Sequence, residues 1–196
     1  MILRWSEVFI EAPTKIYIAH LHDQPLYRSI SDCAPCSVEL VKGLPENLVT
    51  LRGSLLVIDD LAATSAKEIK AWHIRKSHHY HTNCITINQS LFDKDPVFRS
   101  ISLNSHFLIV HKNPRDNSQI TYLARQLSPT NIKFLTEAYF DSTKRPYSYL
   151  LCDLRQDTNN FYRYRSSVFP NEAFVYVCNT LDDFYEIRNG FESSEE

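Results

Sequence analysis

Two adjacent acids carry the clearest chemistry in this chain: Asp59 and Asp60 close the run Leu55-Leu56-Val57-Ile58-Asp59-Asp60-Leu61. A carboxylate in such a place can hold Mg²⁺, directly or through water, and a second can orient an attacking water. What makes the place special is the apolar run before it. Residues 55–58 are apolar without alternation, and two of them are β-branched. That pattern reads as a strand buried on both faces, as in a parallel sheet flanked by helices. Ligands of such sheets gather at the carboxyl ends of the strands, where Asp59 and Asp60 fall. Acids after a strand also serve as turn or N-cap residues, so the pair alone is a weak signal.

Other clusters invite chemistry and have plainer readings beside it. His73, His78, His79 and His81 supply imidazoles around a helix end, but no matching Cys or carboxylate pattern closes a tetrahedral metal site. Cys33-Ala34-Pro35-Cys36 has redox or zinc spacing. It lacks a second Cys pair and is followed by a strand-like segment, not by a helix that would lower a thiol pKa, so reduced, incidental cysteines are favoured. Arg163 and Arg165 interleave with Phe161, Tyr162 and Tyr164, the composition of a base-stacking strand. The same alternation describes a half-exposed strand with buried aromatics, and that reading is favoured. Lys112 and Arg115 near a strand end could bind phosphate, with Asp116 beside them as a surface partner.

The elements that must position these groups follow from periodicity. Ile2, Trp5, Val8 and Phe9 stand at helical spacing up to Pro13. Short strands are expected at Lys15–His20 and Val38–Val41, with a turn or helix opening at Gln24–Tyr27. Ser65 and Glu68 form a capping box ahead of a helix that carries Ile69 and Trp72 on one face. Thr82–Gln89 and Phe107–Val110 read as strands. Asp116, with Gln119 three residues on, caps a helix striped by Ile120, Leu123, Ala124 and Leu127. A second helix spans about Asn131 to Tyr139, then strands at Tyr147–Asp153 and Phe161–Arg165 form a hairpin. Leu181–Arg188 reads as a last helix. Strands alternating with helices predict an α/β three-layer domain over residues 1–190, with a disordered acidic tail at 191–196.

At 196 residues the chain can bury about 70% of its unfolded surface in one domain. Lys plus Arg (21) nearly balances Asp plus Glu (23), for a formal net charge of −2, so no global basic field advertises nucleic acid. Five cysteines without a signal peptide argue for a reducing, intracellular setting. No apolar run is long enough to span a membrane.

The Leu55–Leu61 run has the shape of a Walker B strand, and further segments extend that likeness. They are Lys76-Ser77-His78-His79, Asn88-Gln89-Ser90-Leu91-Phe92, Arg99 to His106, Lys112 to Ile120 and Leu123 to Pro129. In order and spacing, from about Gln24 to Pro170, the chain resembles the DNA-packaging ATPases of the HerA–FtsK class. The version it is most similar to is found in large DNA viruses and in Polinton/Maverick-type mobile elements. The resemblance implies a three-layer P-loop NTPase domain with a mainly parallel sheet. It implies that Asp59 contacts Mg²⁺, that Asp60 polarises the water attacking the ATP γ-phosphate, and that Gln89 is the sensor aligning that water. An amide suits a sensor because it donates and accepts without charge. The transition-state arginine, usually supplied by an adjacent subunit, is expected among Arg115, Arg99 and Arg75, in that order.

Two departures qualify what the resemblance implies. Relatives often carry a basic residue just after the His-His pair, where this chain has Tyr80-His81. The larger departure is the Gly-rich loop with Lys and Ser/Thr that cradles phosphates, which occurs nowhere in these residues. Its expected place precedes Met1, together with a central strand lying between the sensor strand and Phe107–Val110. Without that strand, two apolar edges would stand unpaired. The expectation is an N-terminally truncated copy, inactive alone, that does not bind Mg²⁺ and ATP productively. Its expected partners are duplex DNA and a homo-oligomeric ring or a full-length homologue, in nucleus, cytoplasm or virion. The alternative is a non-enzymatic interaction or DNA-binding module that keeps the oligomer interface.

Overall fold

The structure, a computed structural model, describes residues 4, 7–9, 11–34, 36–45, 53–59, 61, 66–76, 79, 81–92 and 96–178. Two compact units divide the chain, Met1–Ser105 and His106–Glu196.

In the first unit, β1 (Ile16–His20), β2 (Val38–Lys42), β3 (Leu55–Asp59) and β4 (Asn83–Ile87) form a parallel sheet in the order β2-β1-β3-β4. The two inner strands are those with unbroken apolar runs, because both of their faces are covered. Ile16, Ile18, Leu55 and Val57 pack on one side with Tyr27 and the half-buried Ile30 of α1 (Pro25–Cys33). Residues of opposite parity, Tyr17, Ala19, Leu56 and Ile58, pack on the other. There they meet Ile69 of α2 (Ala66–Lys70), Trp72 just beyond it, and Phe98 and Ile101 of α3 (Pro96–Leu103). The period of two in a strand therefore sorts each run into two cores. Burying each large aliphatic side chain contributes about 1.5–3 kcal/mol. Ahead of β3 the chain turns at Gly53, whose φ of +71° a side chain would strain.

The second unit holds β5 (Phe107–His111), α4 (Ser118–Leu127), α5 (Ile132–Ser142), β6 (Tyr149–Asp153), β7 (Tyr164–Arg165) and β8 (Val175–Tyr176). Its sheet runs in the order β5-β6-β7-β8 and every pair is antiparallel. The expected α/β content and parallel sheet are present, but among the described residues the parallel pairs lie in the first unit and the second unit's sheet is antiparallel. The reason lies in the connections. One crossover helix returns the chain to where a strand began and makes the next strand parallel. Between β5 and β6 stand two helices joined by a short turn, so the chain re-enters the sheet from the opposite end.

Other differences are local. From Ala71 to Lys76 the helix continues as a wider π-helical turn. Asp116 lies one residue before the formal N-cap Asn117, yet its Oδ1 accepts from Ser118 N (3.1 Å) and its Oδ2 from Gln119 Nε2 (2.9 Å). Phe161 and Tyr162 form a 3₁₀ turn, not a strand, because Asn159 Oδ1 accepts from Phe161 N at 2.9 Å and caps it. Asn131 caps α5 through Phe134 N at 3.1 Å. Ile2 and Trp5 of the first expected helix, Ser65 of the capping box, the 181–188 helix and the 191–196 tail lie outside the described residues. No described helix is long and apolar enough to cross a membrane.

Candidate functional site at the carboxyl ends of β1 and β3

From β1 the chain moves outward to β2, then returns past β1 to build β3 and β4. The direction of winding reverses between β1 and β3, and the crevice outside the carboxyl ends there is the general ligand position of open parallel sheets. Ala19 pairs with Ile58. One residue further along each strand stand His20 and Asp59.

Tyr27 joins them from α1. Its hydroxyl donates to Asp59 Oδ2 at 2.7 Å, and its ring lies 4.9 Å from that of His20, tilted by 38°. Tyr27 and His20 are both buried, and Asp59 is half-buried. His20 Nε2 lies 3.5 Å from Asp23 Oδ1, while its Nδ1 is buried with no hydrogen-bond partner among the described residues. The phenol takes one Asp59 oxygen. Asp59 Oδ1 has no partner among the described residues. A carboxylate oxygen is the hard ligand that Mg²⁺ takes, an ion that keeps several waters and uses only one or two protein carboxylates. Asp59 thus has the chemistry of one carboxylate ligand for such a cation. The phosphate half of a nucleotide site has no counterpart, since none of the three glycines belongs to a Lys-Ser/Thr loop.

Gln89 is exposed, two residues past Ile87, the β4 partner of Asp59, so both lie at the same end of the sheet. Asp60 lies outside the described residues. Arg115 is exposed in the turn after β5, in the second unit, where its backbone N–H donates to Asn113 Oδ1 at 3.1 Å. Arg99 is exposed on α3, and Arg75 belongs to the π-helical turn.

Of the histidine cluster, His78 lies outside the described residues. His73 makes hydrogen bonds through Nδ1 to Thr86 Oγ1 and through Nε2 to Ser105 Oγ, both at 3.1 Å. Among the described residues no three His, Cys, Asp or Glu side chains gather as a metal site. Cys33 and Cys36 are free thiols, and burial pushes the Cys36 thiol up. Arg163 and Arg165 serve the buried Asp153. Arg163 Nη1 donates to the carbonyls of Asp153 (3.1 Å) and Arg155 (2.9 Å), and Arg165 Nη2 donates to Asp153 Oδ2 at 2.9 Å. Arg155 and Thr158 complete the shell, with Arg155 Nη2 at 3.0 Å and Thr158 Oγ1 at 2.9 Å. Burial pushes the Asp153 carboxyl up, but the hydrogen bonds from Arg155 and Thr158 outweigh it and hold the carboxyl below its ordinary value.

Sequence reasoning missed Tyr27 and His20. His20 had a visible signal: a polar side chain ending an otherwise apolar strand. Tyr27 had none, because its partner stands 32 residues away. Set against family models, curated proteins and solved structures, the chain matches none.

Proposed function

We propose that this chain carries the metal-and-water half of a DNA-packaging-type P-loop ATPase site and does not hydrolyse ATP by itself. The observation that carries the reading is Asp59, at the carboxyl end of a central parallel strand beside the reversal of winding, with Oδ2 held by Tyr27 and Oδ1 without a partner among the described residues. In this reading Asp59 is the Mg²⁺ carboxylate, Asp60 orients water, Gln89 aligns it, and Arg115 is offered to a neighbouring subunit. Charge on the β- and γ-phosphates needs backbone amides and a lysine that these residues do not include. Purified chain incubated with Mg²⁺ and ATP is expected to release phosphate at the background rate. Turnover that Asp60→Asn abolishes, while a surface control substitution leaves it intact, would overturn the proposal.

A second reading, a non-enzymatic module that assembles with duplex DNA or a fuller homologue, is favoured by the strand edges. Among the described residues β4 pairs only with β3 and β5 only with β6, and Ile87, Phe107 and Ile109 are exposed on them. Open apolar edges are templates for another chain's strand. Co-elution with a complete packaging ATPase, or salt-sensitive duplex binding without nucleotide, supports this reading. A monomer that does neither removes it.

A further inference from the structure

The second unit contains a cavity of about 380 Å³ lined by His111, Lys112, Thr143, Lys144, Arg145, Pro146, Tyr147 and Ser148. Three features of its wall are unusual together. Lys112 and Arg145 are exposed cations whose side chains have no partner among the described residues. Lys144 is paired with Asp141, which also accepts from Tyr176 Oη at 2.8 Å, so the nearest acid is already neutralised. Tyr147 is 96% exposed and holds a φ of +63°, a conformation that non-glycine residues rarely adopt.

The exposed Tyr147 has a cost with no structural return. A large aromatic ring in water buries nothing, and its backbone is strained. The turn preceding it is firmly built, with Ser148 N and Oγ both donating to Arg145 O (3.2 and 2.6 Å). The ring is thus presented by a fixed loop. The C-terminal carbonyls of α5, which would repel an anion, are largely spent. Tyr139 O accepts from Ser142 Oγ, Thr143 Oγ1 and Thr143 N, and Asp141 O accepts from Lys144 N. The wall is left with net positive charge beside an exposed π face.

The geometry points to a binding site for a nucleotide unit, an aromatic base stacked on Tyr147 with its phosphate held by Lys112 and Arg145. Flat rings stack on exposed aromatics whatever their sequence, and phosphate supplies the charge that two free cations lack. The volume is at the low end for small-ligand sites, roughly 300–1,000 Å³, which suits one nucleotide and excludes a duplex. That unit can be a free mononucleotide or one residue of a single strand. The site stands in the second unit and does not depend on the role proposed for Asp59.

The test is fluorescence anisotropy of the full chain with a labelled oligothymidylate across a salt series, with unlabelled mononucleotides as competitors. The double variant Lys112→Gln/Arg145→Gln should bind at least about tenfold more weakly and flatten the salt slope by about 0.7, the share of one phosphate on a single strand. Tyr147→Ala should cost about 5- to 150-fold, the range of one lost base stack, while Tyr147→Phe stays within about twofold. Tyr147→Gly relieves the backbone and removes the ring, so it should lose binding without a lower melting temperature. Competition by mononucleotides assigns a one-nucleotide site, and binding of the oligonucleotide alone assigns a station along a strand. No binding of either probe, or binding that these variants leave unchanged, overturns the inference. So does a loss confined to the charge variant, which would mean recognition of phosphate without a base.

Discussion

Tyr27 holds Asp59: the phenol of α1 donates to the carboxylate at the end of β3 across 2.7 Å, at a place where the sheet's winding reverses. Asp59 is therefore oriented by a buried neighbour, with one oxygen committed and the other turned to no described partner. A pre-set carboxylate loses less freedom on meeting a cation than a free one does.

Removing the phenolic hydrogen tests how firmly it is held. Tyr27→Phe keeps the ring in its pocket and deletes one hydrogen bond to a charged acceptor, a loss of about 1.5–3 kcal/mol. Both tryptophans, Trp5 and Trp72, lie in the first unit, so urea unfolding followed by tryptophan fluorescence reads the relevant transition. Asp59→Ala in the Tyr27→Phe background should cost less than Asp59→Ala alone. Equal costs would mean that the two side chains are not coupled.

Much of the first unit was legible in the sequence because its signal is local. The runs at Ile16–His20 and Leu55–Asp59 became the inner strands, and Ile69 with Trp72 became the core face of a helix, since parity and helical spacing act within a few residues. What could not be read was long-range. The antiparallel course of β6 depends on two helices standing between it and β5, and the 3₁₀ turn at Phe161 on one Asn159 side chain. The candidate site divides the same way. Asp59 was found from its own strand, whereas His20 and Tyr27 reach it only through register and helix packing.

Asp153 sets the acid limit of the second unit. Its carboxylate is fully buried and accepts from Arg155, Thr158 and Arg165. Because the folded carboxyl sits below its ordinary value, its stabilisation is complete above the unfolded pKa, about 3.9, and fades as pH falls through the folded one. Asp116 and Asp141 are lowered as well and add to the same trend. Asp153→Asn removes the charge that faces two guanidinium groups, both partly open to solvent, and should cost about 1–3 kcal/mol at neutral pH. Circular-dichroism melts from pH 7 to pH 3 should show the variant's deficit narrowing toward acid. A constant deficit would show that the carboxylate's charge is not what stabilises.

The thiols divide by burial. Burial pushes Cys84 and Cys152 up to about 12, so at pH 8 both are overwhelmingly thiol. Cys33 is exposed on the last turn of α1. Brief iodoacetamide labelling of the native chain should modify Cys33 first and leave Cys84 and Cys152 intact until denaturant is added. Mass-spectrometric peptide mapping reads the order. Early labelling of Cys152 would mean that β6 opens far more readily than its burial allows.

The open edge of β5 should make the chain self-associate. Phe107 and Ile109 are 46% and 40% exposed on a strand paired on one side only, among the described residues. Arg155 covers part of this edge, its guanidinium 5.1 Å from the Phe107 ring centre. Natural edges are blunted by lysine because an ammonium cannot be buried between two strands without a partner. Ile109→Lys places that charge on the exposed face while leaving the backbone pairing of Ile109 with Leu151 in place. Sedimentation velocity should show concentration-dependent association of the unmodified chain and its loss in the variant, with melting temperatures matched. If both sediment as monomers at every concentration, the edge is not a docking strand, and the assembly reading loses the observation that favours it.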